Sequence, residues 1–500
     1  MKHKKLLCIS LTGALALSAF LVAACDKKPE TPTGDAWHNQ SIWLSAGELL
    51  PTEKIVLPTE SKSNSASVAV HDPSIFQDPK TGMYYAFGSH FMVASSEDLI
   101  KWTQEVGDGS SETSGQKVAQ GLYGDGVNWR DVLKESVAYA GTGMPSTWAP
   151  DVEYINGKYY MYLSLTSAFG SNKSVISRVE SDRVLGPYSN ETVLIKSGEK
   201  GGPNAIDPEL FYDKDGKLWM VYGSHFAGIY IKELDVKTGL PKEDGYGKLL
   251  WKGGTKVVEG PFVYYNASTD YYYLMTTYGD LTSDYNMHVA RSKDPDGPYL
   301  DIAGDNMAET NENGDLHGNK VAGNYNFHGK RTGYAALGHN SVIKDKDGRY
   351  FVIYHVRNQT GSNVTAGHHL MVNQLYFNEE GWPVMAPTAY VGEKAGLATL
   401  AEIAGDYEIV LHSESTTKEM VESEKYTLSA DGKVSNIATQ VGTWTVKQDY
   451  YVEITIDEIV YKGVVAPGWD NYGGATEQKG GYTITAVSNE GRSLWAIPTL

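Results

Sequence analysis

The sequence predicts an all-β fold: a five-bladed β-propeller over residues 41–396, then a small C-terminal β-sandwich or barrel domain over 397–500. Three observations carry this. A hairpin-sized unit recurs five times, no long amphipathic-helix pattern follows Cys25, and after Leu397 the strands alternate with a strict period of two.

Each recurring unit opens on an acidic or polar signature, continues as an apolar strand, turns, and returns as a Tyr-rich strand. The copies are HDPSIFQDPKTGMYYAFGS from His71, APDVEYINGKYYMYLS from Ala149, IDPELFYDKDGKLWMVYGS from Ile206, EGPFVYYNASTDYYYLMTTYG from Glu259 and GHNSVIKDKDGRYFVIYHV from Gly338. The turns carry the residues that tolerate positive φ: Gly82, Asn156-Gly157, Asp215-Gly216, Asp270 and Asp347-Gly348. An isolated hairpin cannot bury both faces, so five copies are expected to pack around a common axis. The opening residues Asp72, Asp151, Asp207, Glu259 and His339 would then meet at that axis. Between the units, 103–144 and 301–332 read as long loops, which on a rigid scaffold carry specificity or cover a site.

In the C-terminal segment, DYEIVLHS, KYTLSADGKV, GTWTVKQDYYVEITI, EIVYKGVVAP and GYTITAVS read as strands. Its Trp444, Trp469, Tyr472 and Trp495 have two readings, sugar stacking or core packing, and packing is the commoner fate of such residues.

The N-terminus reads as an export signal over 1–24. Lys2, Lys4 and Lys5 precede an apolar run that ends in small residues and a cysteine. Leu21-Val22-Ala23-Ala24-Cys25 resembles a bacterial lipobox, which implies cleavage before Cys25 and its lipidation. The chain has 2 cysteines, Cys8 and Cys25, so the mature protein would hold no disulfide. Residues 25–40 form the lipidated cysteine and a polar, proline-containing tether. The expected location is outside the cytoplasm, on a bacterial outer membrane or cell surface, as a monomer.

A formal net charge of −18 disfavours a nucleic-acid partner. The chain's 34 Tyr and 11 Trp offer flat apolar faces with polar tips, which suit carbohydrate. Glycoside cleavage needs one group to protonate the leaving oxygen and another to activate water or attack the anomeric carbon. A third carboxylate can raise the acid's pKa by repulsion. Acidic residues opening several repeats match that requirement.

These motifs resemble glycoside hydrolase family 43, and within it the endo-acting arabinanases. The resemblance implies Asp72 of VHDPSIF as general base, Asp207 of NAIDPELFYDKDGK as pKa modulator, and Glu259 of VVEGPF as general acid. It implies inverting hydrolysis of α-1,5-linked arabinan and arabino-oligosaccharides, with the base and acid about 6.5–9.5 Å apart. It further implies Trp148, Phe91, Phe169 and Asn172 at the substrate, with Asp151 either binding a sugar hydroxyl or anchoring its blade, and His339 of GHNSV on a mostly water-coordinated Ca2+ or else hydrogen-bonded to a catalytic carboxylate with no metal. His71 is expected beside Asp72, and the other histidines have no spacing that demands a metal. Two alternatives are an exo-acting α-L-arabinofuranosidase or β-xylosidase on the same fold, and a non-catalytic glycan-binding lipoprotein. The last would be expected to lack one of the three carboxylates, and all three are present.

Overall fold

A computed structural model describes Trp43 and residues 50–499, except 199–201, 253–256, 310–317, 330–331, 415–419, 438 and 471–477. Cys25, the signal segment, most of the tether and Tyr472 lie outside the described residues.

Four repeats form four-stranded antiparallel sheets, each meandering outward in chain order. The first holds Ser74–Gln77, Tyr84–Phe87, Val93–Ser96 and Trp102–Val106. The second holds Trp148–Ile155, Lys158–Thr166, Ser174–Ser181 and Ser189–Lys196. The third holds Glu209–Tyr212, Leu218–Tyr222, Ile229–Leu234 and Lys248–Trp251. The fourth holds Val258–Asn266, Tyr271–Tyr278, Asn286–Ser292 and Asn319–Ala322. Here the expectation of five like blades meets a difference. The fifth repeat, Thr332–Lys344 with Tyr350–Thr360, His369–Phe377 and Pro383–Met385, belongs to a seven-stranded sheet. That sheet also takes Tyr325–Asn326, Asn363–Val364 and, in parallel, Val421–Glu422 from beyond the expected domain boundary. The first strands of the five sheets touch one another in sequence around a closed, propeller-like ring.

The hairpin turns follow their residues: Gly82, Asn156, Gly157, Gly216, Asp270 and Gly348 all have positive φ. The segment 103–144 is not a loop. After the strand that ends at Val106 it folds into Glu112–Val118, Gln120–Tyr123, Trp129–Val132 and Lys134–Ala140. These short helices bury Leu122, Tyr123, Trp129 and Leu133 against the first two sheets. Ser111 caps the first helix through the Ser114 amide.

The C-terminal domain is a closed eight-stranded barrel, which decides between the two architectures expected for it. Its interior is filled by Tyr407, Ile409, Tyr426, Leu428, Trp444, Ile454 and Ile484. Trp444 and Trp495 are 3% and 1% exposed and Trp469 is also buried, so these rings pack rather than bind sugar. Trp495 stands edge-on to Tyr325 of the seven-stranded sheet, centroids 5.0 Å apart, and to His412 at 4.8 Å. Ser493 Oγ donates to Lys320 O at 2.6 Å across the same seam.

Trp495→Ala should therefore lower stability by about 3–5 kcal/mol, read as an earlier urea unfolding midpoint, because it empties a sealed contact between barrel and ring.

Candidate active site

A left-handed residue lies in or just before each inner strand: Asp72 (φ 53), Ala149 (φ 32), Asp207 (φ 56), Gly260 (φ 56) and His339 (φ 47), the last strand holding a second at Ala336 (φ 52). Four of the five precede a proline, and three sit in β-bulges where the pairing register slips. Left-handed backbone is costly for a residue with a Cβ, and it re-aims the side chain out of the normal strand alternation. At Gly260 the space is as restrictive as the dihedral, since an added Cβ would lie 3.1 Å from His339 Cγ. These five positions are the true equivalents, which corrects the expected alignment. Glu259 lies one residue before its equivalent position and Asp151 two after.

The consequence is a division of the axis into two levels. Asp72, Asp207, Glu259 and His339 line one cleft with His71, Trp148, Phe169, His225, Phe226 and Tyr285. Asp151 lies a level deeper, lining a separate cavity with Glu153, Glu209 and Tyr264. It accepts from Ser74 Oγ at 2.7 Å and from the Leu210 amide at 2.9 Å, tying the first three sheets together. Burial pushes its carboxyl up to about 6 against those bonds.

The three cleft carboxylates are all buried but sit in different fields. Asp72 Oδ1 lies 3.1 Å from both His339 Nδ1 and His71 Nε2, and its Oδ2 accepts from Ser89 Oγ at 2.5 Å. Burial alone would raise its pKa, but the surrounding imidazoles hold it well below the ordinary range. Glu259 accepts from Ser224 Oγ at 2.6 Å and from the Tyr285 hydroxyl, with His225 Nε2 at 3.4 Å. Burial opposes these donors, which nonetheless hold it below its ordinary value. Asp207 accepts from the Gly260 amide at 3.2 Å. Burial, together with repulsion from Glu259 and Asp72, lifts it to about 7 despite His339. His339 is desolvated, yet Asp72 and Asp207 raise it to about 9. The ionised Asp72 and the proton-retaining pair of Asp207 and Glu259 are thus separated by environment alone.

Of the expected substrate residues, Trp148 lines the cleft and Phe169 stands beside it, 73% exposed, with ring centroids 6.3 Å apart. Phe91 is 2% exposed and packs on Tyr123 and Trp129, so it serves the core formed with the short helices. Asn172 holds Ser197 Oγ through its main-chain carbonyl at 2.8 Å and is not among the residues lining the cleft. The sequence reading missed Ser89, Ser224, His225, Phe226 and Tyr285. A signal for the first four existed, because Gly-Ser-His-Phe occurs at both 88–91 and 223–226. Nothing local marks Tyr285.

His339 offers a cation a single imidazole in a field of three carboxylates. That donor set fits a hard ion only if water supplies most of the ligands. His71, His355 and His368 also come within reach of one another. However, the His71 and His368 rings are stacked at 4.1 Å with a 6° interplanar angle, so their in-plane lone pairs run parallel. Arg357 Nε also donates to His368 Nε2 at 3.0 Å. The trio is a packed histidine stack rather than a metal cage.

The family model described as glycosyl hydrolases family 43 matches residues 124–383, and one described as a C-terminal lipocalin-like domain matches 387–496. An extracellular endo-α-(1→5)-L-arabinanase of Thermotoga petrophila is 38% identical over 463 residues, covering 86% of this chain and 93% of that protein. The extracellular endo-α-(1→5)-L-arabinanase 2 of Bacillus subtilis is 36% identical, covering 86% of this chain and 92% of its own. The crystal structure of the endo-1,5-α-L-arabinanase from Thermotoga petrophila superposes with a TM-score of 0.77 at 34% identity, covering 90% of this chain and 100% of that one.

Asp151→Ala should lower stability by about 1–3 kcal/mol in urea unfolding, by leaving the buried Leu210 amide without its acceptor and breaking the bond from Ser74. The folded protein should keep its turnover number on arabinan, in keeping with the deeper level of that residue.

Proposed function

The chain belongs to glycosyl hydrolases family 43 and is a glycoside hydrolase; we propose that it cleaves α-1,5-linked L-arabinan internally and with inversion. In this reading Asp72 is the general base, Glu259 the general acid, and Asp207 the group that tunes the acid. The observation that carries it is the opposed proton affinity of carboxylates sharing one cleft. Asp72 is held ionised by imidazoles, as a base that activates water must be. Asp207 and Glu259 repel each other, so the pair retains a proton into the neutral range.

The mechanism follows from these fields. A furanose ring docks its apolar face on the rings of Trp148, Phe169 and Phe226, which come from two neighbouring sheets. Asp72 takes a proton from water positioned at the anomeric carbon. The leaving oxygen receives the proton of the Asp207–Glu259 pair from Glu259, whose hydroxyl partners Ser224 and Tyr285 can turn to accept when it is protonated. His339, cationic between Asp72 and Asp207, offsets the charge of two buried carboxylates. A Ca2+ ion, if bound, would be held by His339 and water, and would supply the same compensating charge. A second reading exchanges Glu259 and Asp207, because in the free site Asp207 holds its proton to about 7 while Glu259 does not. Export, with Cys25 as a lipid anchor, is part of the proposal, and the matched relatives named as extracellular support its first half.

On linear arabinan the wild type should release mixed oligosaccharides before arabinose; monomer from the first minutes would instead mark an exo enzyme. Glu259→Ala should lose on the order of 10²–10⁴-fold in kcat on arabinan, but far less on an aryl arabinofuranoside whose leaving group needs no proton. If Asp207→Ala is the variant rescued by the good leaving group, the exchanged roles are correct.

The pH profile has a defined sign. Asp72 stays ionised well into the acid range, so the acidic limb of kcat/KM should lie low. Raising the pH through about 7 strips the proton from the Asp207–Glu259 pair, and kcat/KM should fall there.

A further inference from the structure

The two Gly-Ser-His-Phe copies build the same corner. Each follows the second strand of its sheet, and each places two successive non-glycine residues in left-handed backbone. These are His90 and Phe91 (φ 62 and 67) and His225 and Phe226 (φ 55 and 43). Such residues persist only where the surroundings over-determine them. The restraining bonds also repeat: the His90 amide donates to Thr147 O at 3.0 Å, and the His225 amide to Val258 O at 2.9 Å. In each case the acceptor lies at the head of the next sheet.

The serine of each corner touches a reacting carboxylate, but the wiring around it differs. In the first corner Ser89 Oγ accepts from the Ala149 amide at 2.8 Å and donates to Asp72 Oδ2. Ser89 is fully buried, and among the described residues its hydroxyl proton has Asp72 as its only acceptor. It is therefore fixed as a donor. In the second corner the equivalent amide, that of Gly260, donates to Asp207 instead. Ser224, at 1% exposed as buried as Ser89, is relieved of that amide, borders the cleft, and donates to Glu259 Oε2. With no amide donating to it, the Ser224 oxygen is left able to accept from a protonated Glu259, which the Ser89 oxygen, already taken by Ala149, is not.

We infer that the duplicated corner positions both reacting carboxylates, with Ser89 holding Asp72 as a carboxylate only and Ser224 holding Glu259 in either protonation state. The inference rests on the base and acid roles proposed above. The other groups facing Glu259 are the Tyr285 hydroxyl, His225, Asp207 and His339, and all remain in the variants below.

The test measures kcat and KM against pH on linear arabinan with the full-length protein. Ser224 pairs with Glu259 in both states but more strongly with the ionised one, so Ser224→Ala should move the alkaline limb up by roughly half to one pH unit. Ser89→Ala should lower kcat by about 10–100-fold with KM little changed and the alkaline limb unmoved, and Ser89→Thr should recover most of the loss. If either alanine variant fails to fold, Ser224→Cys and Ser89→Cys keep the volume with a weaker donor and should show the same effects, smaller. An alkaline limb that stays at the wild-type value in folded Ser224 variants overturns the inference, as does a folded Ser89 variant with wild-type kcat. Asp72→Ala and Glu259→Ala serve as controls. If they are inactive while the serine variants behave as wild type, only the corner's role falls. If they retain turnover, the assignment of base and acid falls and takes the inference with it.

Discussion

The site depends on a backbone constraint: a left-handed residue lies in or just before each inner strand. A regular strand would alternate its side chains between neighbouring sheets, and acids placed there would be buried against apolar faces. The left-handed residue breaks that alternation and turns Asp72, Asp207 and His339 toward a common cleft. Proline follows the left-handed residue at four of the five positions, fixing the next φ, and at Ala149 and Gly260 it removes an amide inside a bulge. Where glycine occupies the position, at Gly260, the bulge lets the preceding Glu259 reach the cleft and leaves room for His339.

Bringing buried carboxylates together is unfavourable unless their charge is met. The molecule meets it unequally. Imidazoles and a hydroxyl surround Asp72, whereas Glu259 is met by two donating hydroxyls and a half-exposed histidine, and Asp207 by a backbone amide. The inequality separates a permanent carboxylate from a pair that keeps a proton. His71, His355 and His368 pack together behind Asp72, where burial drives all three down.

What could be read from the sequence was what is local and periodic. The five hairpin units were legible because their turns need positive φ and use Gly, Asn or Asp for it, and because Tyr-rich strands follow each turn. The carboxylates Asp72, Asp207 and Glu259 were legible as unit openings. Asp151 looked like another, and the X-Pro step was the better ruler: Asp72-Pro73, Ala149-Pro150, Asp207-Pro208 and Gly260-Pro261 align, and they put Asp151 beside Ser74 and Glu209 instead. Phe91 was misread because its burial comes from helices within 103–144, a segment too rich in Gly, Ser and Asp to show their pattern. Tyr285 reaches Glu259 from the head of a third strand, a contact that only the assembled sheet creates.

The barrel bears on the same constraint. His339 lies on the long strand Thr332–Lys344, whose two ends pair with the two ends of Tyr350–Thr360. Here the strand's early part pairs with Tyr325–Asn326, which in turn pairs with Val421–Glu422, while Trp495 closes on Tyr325 from the barrel wall. Ser493 and Thr485 of the barrel also donate to main-chain carbonyls of Lys320 and Met385, in the fourth and fifth sheets. A strained residue keeps its conformation only while its strand cannot slide. The barrel, whose interior is filled with side chains, is joined through these contacts to the sheet that carries His339.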